Sequence, residues 1–322
     1  MEASPLLEIK NLSLGIKTKK TELTLTEGVS FNIHPGEIYG LVGESGCGKT
    51  ITAFSILKLY PEPGGSQLNG DIFFEGKNHK DLTGKNLHDF RGKTCSMIFQ
   101  EPGSALNPLI QIKRQLRECF QLHSLKTDDD EIIKILKRVG FPDPNRILNA
   151  YPHELSGGMM QRIMIAMALL LKPKLIIADE PTTALDVTVQ AQIMNLIEEL
   201  RSEHGVSILL ITHNLNLIAQ YADRVGVMYA GRMVEEGKVE PFFNKPRHPY
   251  TKGLLAALPQ SHGKHFDFKS IPGQVPLPRD FPEGCRFAER CSESLEQCSK
   301  RPDMKWIDDQ HRVSCFLHTD KP

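Results

Sequence analysis

Gly43-Glu44-Ser45-Gly46-Cys47-Gly48-Lys49-Thr50 follows the apolar run Ile38-Tyr39-Gly40-Leu41-Val42 and opens into Ile51-Thr52-Ala53-Phe54-Ser55-Ile56-Leu57. The first run reads as a buried strand and the last has helical spacing. A glycine-rich turn between strand and helix exposes consecutive backbone N–H groups at the positive end of a helix. That makes an anion cradle sized for phosphates. In such a loop Lys49 reaches the β- and γ-phosphates, and the Thr50 hydroxyl ligates Mg²⁺. The alternative is a plain flexible loop, so the rest of the chain must supply the other parts of a nucleotide site.

The chain has 322 residues, enough for one large or two modest domains with a full core. Lys plus Arg equals Asp plus Glu, 39 of each, which argues against a nucleic-acid binder driven by overall charge. No apolar run approaches the length of a membrane span, and Met1-Glu2-Ala3-Ser4-Pro5 is no signal peptide. A cytoplasmic protein is expected, held at a membrane only through a partner. The seven cysteines then read as free thiols or metal ligands rather than disulfides.

Outward from the loop, Leu7 to Leu14 and Leu23 to Ile33 alternate at period two and predict strands of an antiparallel edge. Leu68 to Gly76 predicts a hairpin, and Cys95 to Gln100 a buried strand. Between Glu101 and about Pro152 the texture becomes helical, with Ile112 to Leu122 and Asp128 to Val139 as the periodic segments. Leu155 to Leu171 is a glycine turn followed by an apolar helix. Leu175 to Ala178 predicts a parallel strand ending in Asp179-Glu180, Val187 to Leu200 a helix, and Ser207 to Thr212 another strand. A hairpin closes around Gly231. Strands alternating with helices predict an α/β fold with a parallel central sheet. After Phe243 the sequence turns proline-rich and loop-heavy, which marks a C-terminal extension.

Asp179 sits at the carboxyl end of a predicted buried strand, where open α/β sheets place their ligands. There it can hold Mg²⁺, and Glu180 can polarise a water for in-line attack on a γ-phosphate. Leu155-Ser156-Gly157-Gly158-Met159 puts two glycines at a helix start behind a serine, a second anion site. One nucleotide does not need two such cradles in one subunit, so this one is expected to cap the γ-phosphate bound by another subunit. An ordinary serine N-cap is the competing reading.

Together these motifs resemble the ATPase subunit of an ATP-binding-cassette (ABC) transporter, over about Leu7 to Pro259. The resemblance implies a P-loop NTPase core with an antiparallel β edge and a helical subdomain at about 101–165, within an ATPase domain of 1–244. It makes Gly43 to Thr50, with Ile51, the Walker A motif that binds ATP. Leu175 to Asp179 becomes the Walker B strand, Glu180 the catalytic carboxylate, and Gln100 the glutamine that senses Mg²⁺ and the attacking water. Ser156, Gly157 and Gly158 then belong to the signature that engages the partner subunit's ATP. Ala184-Leu185-Asp186 joins the two sites across the dimer, and His213 contacts the γ-phosphate. Met159 replaces the usual glutamine of the signature, as in the peptide-importer branch, and Met160 stands where that branch carries a basic residue. The position that stacks on adenine falls at Ile16, which is not aromatic. Cys47, where serine or alkyl residues are commoner, could make the site sensitive to thiol oxidation.

His248-Pro249-Tyr250-Thr251-Lys252-Gly253 and Ile271-Pro272-Gly273 resemble the C-terminal extension of peptide- and nickel-importer ATPases, placed at 245–322. Cys285, Cys291, Cys298 and Cys315 crowd it, at gaps unlike zinc ribbons or the common ferredoxin runs. Soft sulfur donors leave zinc or an iron–sulfur cluster. The resemblance to oligopeptide and dipeptide importers implies a [4Fe-4S] cluster, with zinc as the alternative. The function implied is an ATPase subunit driving peptide uptake, with a nickel or metal-chelate importer as the runner-up. Its partners would be a second, related ATPase subunit, two transmembrane permease subunits and an extracytoplasmic substrate-binding protein, with no nucleic acid. Soluble ABC ATPases of DNA repair or translation form the rival class. They need a long coiled coil, zinc insertions within the cassette or two cassettes in one chain, none of which this sequence has.

Overall fold

Every side chain is buried in the strands Ile38–Val42, Leu175–Asp179 and Ser207–Ile211, as parallel strands covered on both faces require. The computed structural model describes residues 4–17, 22–61, 63–182, 186–258 and 271–319. Met1–Ile33, Ile38–His79 and Ile211–Pro322 form one unit, and His34–Glu37 and Lys80–Leu210 form the other.

The first unit holds the predicted antiparallel sheet, in the order Glu22–Ile33, Leu7–Lys17, Gly65–Phe74 and Lys77–Asn78. Leu7, Ile9, Leu12 and Leu14 are all buried, with a register break between Ile9 and Leu12 where Asn11 takes a positive φ of 48°. The hairpin predicted over Leu68 to Gly76 is different in the structure. Gly65–Phe74 runs as one strand through Asn69-Gly70, and the chain reverses only at Glu75-Gly76. Gly70 has φ 87°, and a Cβ there would meet the Asn11 carbonyl oxygen at 2.4 Å. Asn-Gly, the commonest hairpin signal, here serves a bulge in a continuing strand.

In the same unit Ile38–Val42 pairs in parallel with Arg224–Tyr229, which turns through Ala230-Gly231 into antiparallel Arg232–Lys238. The tail, expected as mostly loop, adds to this sheet: His311–Val313 pairs with Glu235 to Gly237, and Lys305–Asp308 pairs beyond it. Those strands are only three and four residues long and largely polar. They carry almost no periodic signal of their own, and pairing with an existing strand is what orders them.

In the second unit Cys95–Ile98 and Leu175–Asp179 pair in parallel, with Ser207–Ile211 next in order. All regular elements between Pro102 and Leu169 are helical. Asp128 caps Asp129–Arg138 by accepting from the Glu131 N–H at 3.0 Å. Three acidic residues in that helix's first turn and Lys137 and Arg138 in its last match the helix dipole. Val187–His204 extends a turn past the predicted end at Leu200 and stops at Gly205, whose φ of 64° suits a helix-terminating glycine.

Candidate functional site

The first unit carries the phosphate loop. Ile38–Val42 delivers the chain to Gly43, and the helix Lys49–Ile56 leaves it. Gly43 has φ 150°, and a Cβ there would strike the Met228 carbonyl oxygen at 2.2 Å. Gly46 and Gly48 have φ of 79° and 103°, which L side chains rarely adopt, so the glycine pattern is a backbone requirement. Lys49 folds back over the loop and donates from Nζ to the carbonyls of Gly43 at 2.8 Å and Glu44 at 3.0 Å. Thr50 follows at the helix start, half-buried. The Cys47 amide closes onto the Glu44 carbonyl, and the Cys47 carbonyl accepts from the Gly231 N–H at 2.9 Å. Cys47 is fully buried, and burial pushes its thiol up, so the sulfur is a shielded, protonated thiol. The expected oxidation sensitivity at Cys47 therefore lacks both reagent access and thiolate character. His213 is exposed just after Thr212. Ile16 is a half-buried position of the strand Leu7–Lys17, paired with Leu23.

Two groups that sequence reasoning did not connect to this loop lie against Glu44. Its N–H donates to the Tyr250 Oη at 2.8 Å, and its carboxylate accepts from both terminal nitrogens of Arg290, at 2.8 and 3.1 Å. Tyr250 lies in the quoted His-Pro-Tyr segment and Arg290 immediately precedes Cys291. Nothing in the linear spacing places either of them 206 and 246 residues back along the chain at Glu44.

The second unit carries Asp179, Glu180 and the Ser156-Gly157-Gly158 turn. Asp179 ends its strand at 2% exposure. Glu180 follows with φ 48°, an uncommon conformation for a residue with a side chain and one concentrated at functional sites. The Gln100 Nε2 donates to the Glu180 Oε2 at 3.2 Å, so two predicted residues 80 positions apart meet. Ser156 caps the helix Gly157–Leu169 by accepting from the Met159 N–H at 3.3 Å, and Ser156 and Gly157 are exposed. In that helix Gln161 is buried and donates to the Pro181 carbonyl at 2.7 Å, which ties the signature helix to the residue after Glu180. Asp186 caps Val187–His204 through the Val189 N–H at 3.0 Å, while Ala184 and Leu185 lie outside the described residues.

Cys285, Cys291, Cys298 and Cys315 are all free thiols of the first unit. Burial raises the thiols of Cys285, Cys291 and Cys315, the last to about 11, and the neighbouring cysteines push them the same way. Among the described residues the tight grouping of potential metal ligands is elsewhere, at His88, Asp89 and His123. There the Lys93 ammonium sits 2.8 Å from Asp89 Oδ1, the oxygen that also faces His123, so a cation already occupies that carboxylate.

The phosphate loop, the Gln100–Glu180 pair and the capped Ser-Gly-Gly helix start now stand beside what similar proteins show. A family model described as ABC transporter matches residues 26–183. A second, described as the C-terminal region of oligopeptide/dipeptide transporters, matches 234–298. The oligopeptide transport ATP-binding protein AppD of Bacillus subtilis is 44% identical, over 99% of this chain and 98% of its own. The chain belongs to the ATP-binding subunits of ABC transporters. Haemophilus influenzae OppD, also an oligopeptide transport ATP-binding protein, is 44% identical over 99% of each chain. Among solved structures, a dimeric ATP-binding cassette in a post-hydrolysis state bound to ADP and Pi matches with a TM-score of 0.65. It is 26% identical and covers 73% of this chain and 99% of its own. CbiO1 of Clostridium perfringens, part of an ABC transporter complex, matches with a TM-score of 0.63 at 26% identity over 76% and 92%. This ABC ATPase has, among its described residues, no helix long and apolar enough to cross a membrane.

Proposed function

We propose that this ABC ATPase powers a membrane importer of dipeptides or oligopeptides from the cytoplasmic face of the membrane, held there by two permease subunits. Full-length likeness to oligopeptide transport ATP-binding proteins supports the substrate class. The chemistry rests chiefly on one observation, the hydrogen bond between Gln100 and Glu180. In this reading the loop Gly43 to Thr50, with Ile51, holds the ATP phosphates on backbone N–H groups, and Lys49 leaves its carbonyl partners to neutralise the β- and γ-phosphates. Thr50, Asp179 and Gln100 are the residues assigned to Mg²⁺, their oxygen donors suit that ion, and when bound it would supply charge neutralisation on the phosphates. Gln100 orients the lytic water, Glu180 accepts its proton as it attacks the γ-phosphorus, and His213 contacts the γ-phosphate. Ser156, Gly157 and Gly158 close over the ATP of a second, related ATPase subunit, and Asp186 belongs to the loop joining the two sites. Closure on ATP binding and reopening after hydrolysis pass through the helical subdomain to the permeases. A substrate-binding protein outside the membrane delivers the peptide. The test is the reconstituted importer in vesicles: labelled peptide should accumulate only with ATP, and Lys49→Ala should abolish accumulation. Accumulation of Ni²⁺ without peptide would overturn the substrate assignment.

The four tail cysteines fit a soft-metal centre by donor chemistry, four free thiols in one unit. The centre assigned to them is a [4Fe-4S] cluster, as the resemblance to oligopeptide and dipeptide importers implies, with zinc as the alternative. Protein purified without oxygen should be brown with broad visible absorbance, and Cys291→Ser should remove it. A colourless anaerobic preparation would exclude the cluster.

A further inference from the structure

We propose that the tail residues Arg290 and Tyr250 are positioning residues for ATP binding: they hold Glu44 and thereby fix the phosphate loop. The proposal rests on the reading of Gly43 to Thr50 as the ATP loop.

Glu44 is the second residue of that loop, and all its polar groups are engaged. Its N–H donates to the Tyr250 Oη at 2.8 Å, and its carbonyl accepts from the Lys49 Nζ at 3.0 Å. Its carboxylate takes the Arg290 fork, Nη1 to Oε2 at 2.8 Å and Nη2 to Oε1 at 3.1 Å. Two parallel charge-assisted bonds define a direction as well as an attraction, which a lysine in that place would not.

Both tail residues are themselves rigidly seated. The Arg290 side chain is only 7% exposed against 32% for Glu44, so solvent reaches the pair only from the carboxylate side. Its Nε donates to the Pro272 carbonyl at 2.8 Å, and its guanidinium lies 5.7 Å from the Tyr229 ring centre and 6.0 Å from that of Phe287. Tyr250 is fully buried between the same two rings, at 4.7 and 5.3 Å. Burial pushes its phenol well above the physiological range, so Oη keeps its proton and remains a neutral acceptor for the Glu44 N–H.

A second line of contacts from the same tail segment supports the other side of the loop. Arg286 Nη1 donates to the Ala230 carbonyl at 2.5 Å, and its Nη2 meets Glu27 at 2.5 Å. Ala230 holds a positive φ of 43°, and the next residue, Gly231, donates its N–H to the Cys47 carbonyl. Cys285 to Cys291 thus carries two arginines, one reaching the loop at Glu44 and one reaching the turn that holds Cys47.

The loop has a physical need for such support. Gly43, Gly46 and Gly48 all adopt φ between 79° and 150°, and a Cβ on Gly46 would meet nothing within 4 Å. Glycines lose the most conformational freedom on ordering. A loop fixed before ATP arrives spares the nucleotide that ordering cost, which is preorganisation. Releasing Glu44 shifts the cost onto binding.

The experiment uses the full chain and four variants: Glu44→Gln, Arg290→Lys, the double variant and Tyr250→Phe. Each is read by the affinity for a fluorescent ATP analogue, the KM and kcat for ATP, and the melting temperature. Each single variant of the ion pair should weaken nucleotide binding and raise KM about 10-fold, equivalent to about 1.4 kcal/mol, with kcat within about twofold. The double variant should be no weaker than the worse single, because both remove the same contact. Tyr250→Phe should weaken binding in the same direction while keeping the ring cluster, and with Glu44→Gln it carries the test if Arg290→Lys does not fold. A lower melting temperature with nucleotide affinity and KM unchanged in every folded variant would overturn the proposal, leaving the contacts as tail anchors only. Lys49→Ala is the separate control: undiminished binding in that variant would overturn the ATP-loop reading and the proposal with it.

Discussion

Glu180→Gln is expected to lower ATP turnover by at least about 100-fold while leaving ATP binding intact, the scale of losing a general base. The substitution keeps the shape of the side chain and removes the carboxylate that would take the proton of the attacking water. Glu180 is well placed to be held for that task. It follows the fully buried strand Leu175–Asp179, its φ of 48° turns the side chain off the strand direction, and Gln100 donates to it at 3.2 Å. Since binding should survive and hydrolysis should not, the variant should accumulate as an ATP-bound dimer. Phosphate release and size-exclusion chromatography with ATP read both effects. Undiminished phosphate release would remove Glu180 from the catalytic role, and loss of ATP binding would show that the change disturbs the site's structure instead.

The second large effect is expected at Glu235, a carboxylate with no exposure to solvent. It accepts from the amides of Arg247 at 2.7 Å and His248 at 2.8 Å and from His311 Nε2 at 2.6 Å. Glu235→Ala leaves these buried donors unmatched and opens a cavity, so a loss of about 3–5 kcal/mol is expected, read as a fall in denaturation midpoint. Burial alone would raise the Glu235 carboxyl, but the bonds from His311 and the two amides hold it below its ordinary value. Its contribution is therefore present above the ordinary carboxylate range and disappears as pH falls through the folded value. His248 adds to the same trend. It is fully buried, its Nδ1 accepts from the Tyr250 N–H at 3.0 Å, and burial lowers it to about 4. Below about pH 6.5 the unfolded chain takes up a proton that the folded chain refuses until about pH 4, so stability falls across that window by as much as roughly 3 kcal/mol. A melting temperature that stays flat from pH 7 to 4 would contradict the His248 assignment, and one that stays flat on further acidification below the ordinary carboxylate range would contradict that of Glu235.

Much of the local geometry of the candidate nucleotide site was legible in linear sequence because each part is a local device. The glycines of Gly43 to Thr50 answer to backbone angles, the strand before Asp179 to continuous burial, and the Ser156 cap to the unsatisfied N–H groups of one helix start. Local requirements leave local signatures, and for these the residue types and their spacing suffice. The meeting of Gln100 with Glu180 was inferable only through family resemblance, since the two stand on different strands' ends. Where a local signal competed with a sheet already in place, the sheet won: Asn69-Gly70 reads as a turn but lies inside Gly65–Phe74, because pairing with Leu7–Lys17 continues on both sides of it.

The tail shows the opposite balance. Lys305–Asp308 and His311–Val313 are too short and too polar to announce themselves, and they become strands only because Arg232–Lys238 presents an edge to pair with. Arg290 reads along the sequence as a charge beside a cysteine. It becomes a ligand of the phosphate loop because burial against Tyr229 and Phe287 leaves its fork one carboxylate to meet, that of Glu44. The sequence by itself determined a glycine loop between a buried strand and a helix and a carboxylate at a strand end, since backbone conformation and short-range capping dictate both. Only the tertiary structure decided what holds that loop, because a contact between residues 246 positions apart depends on which surfaces the core brings together, and no periodicity records that.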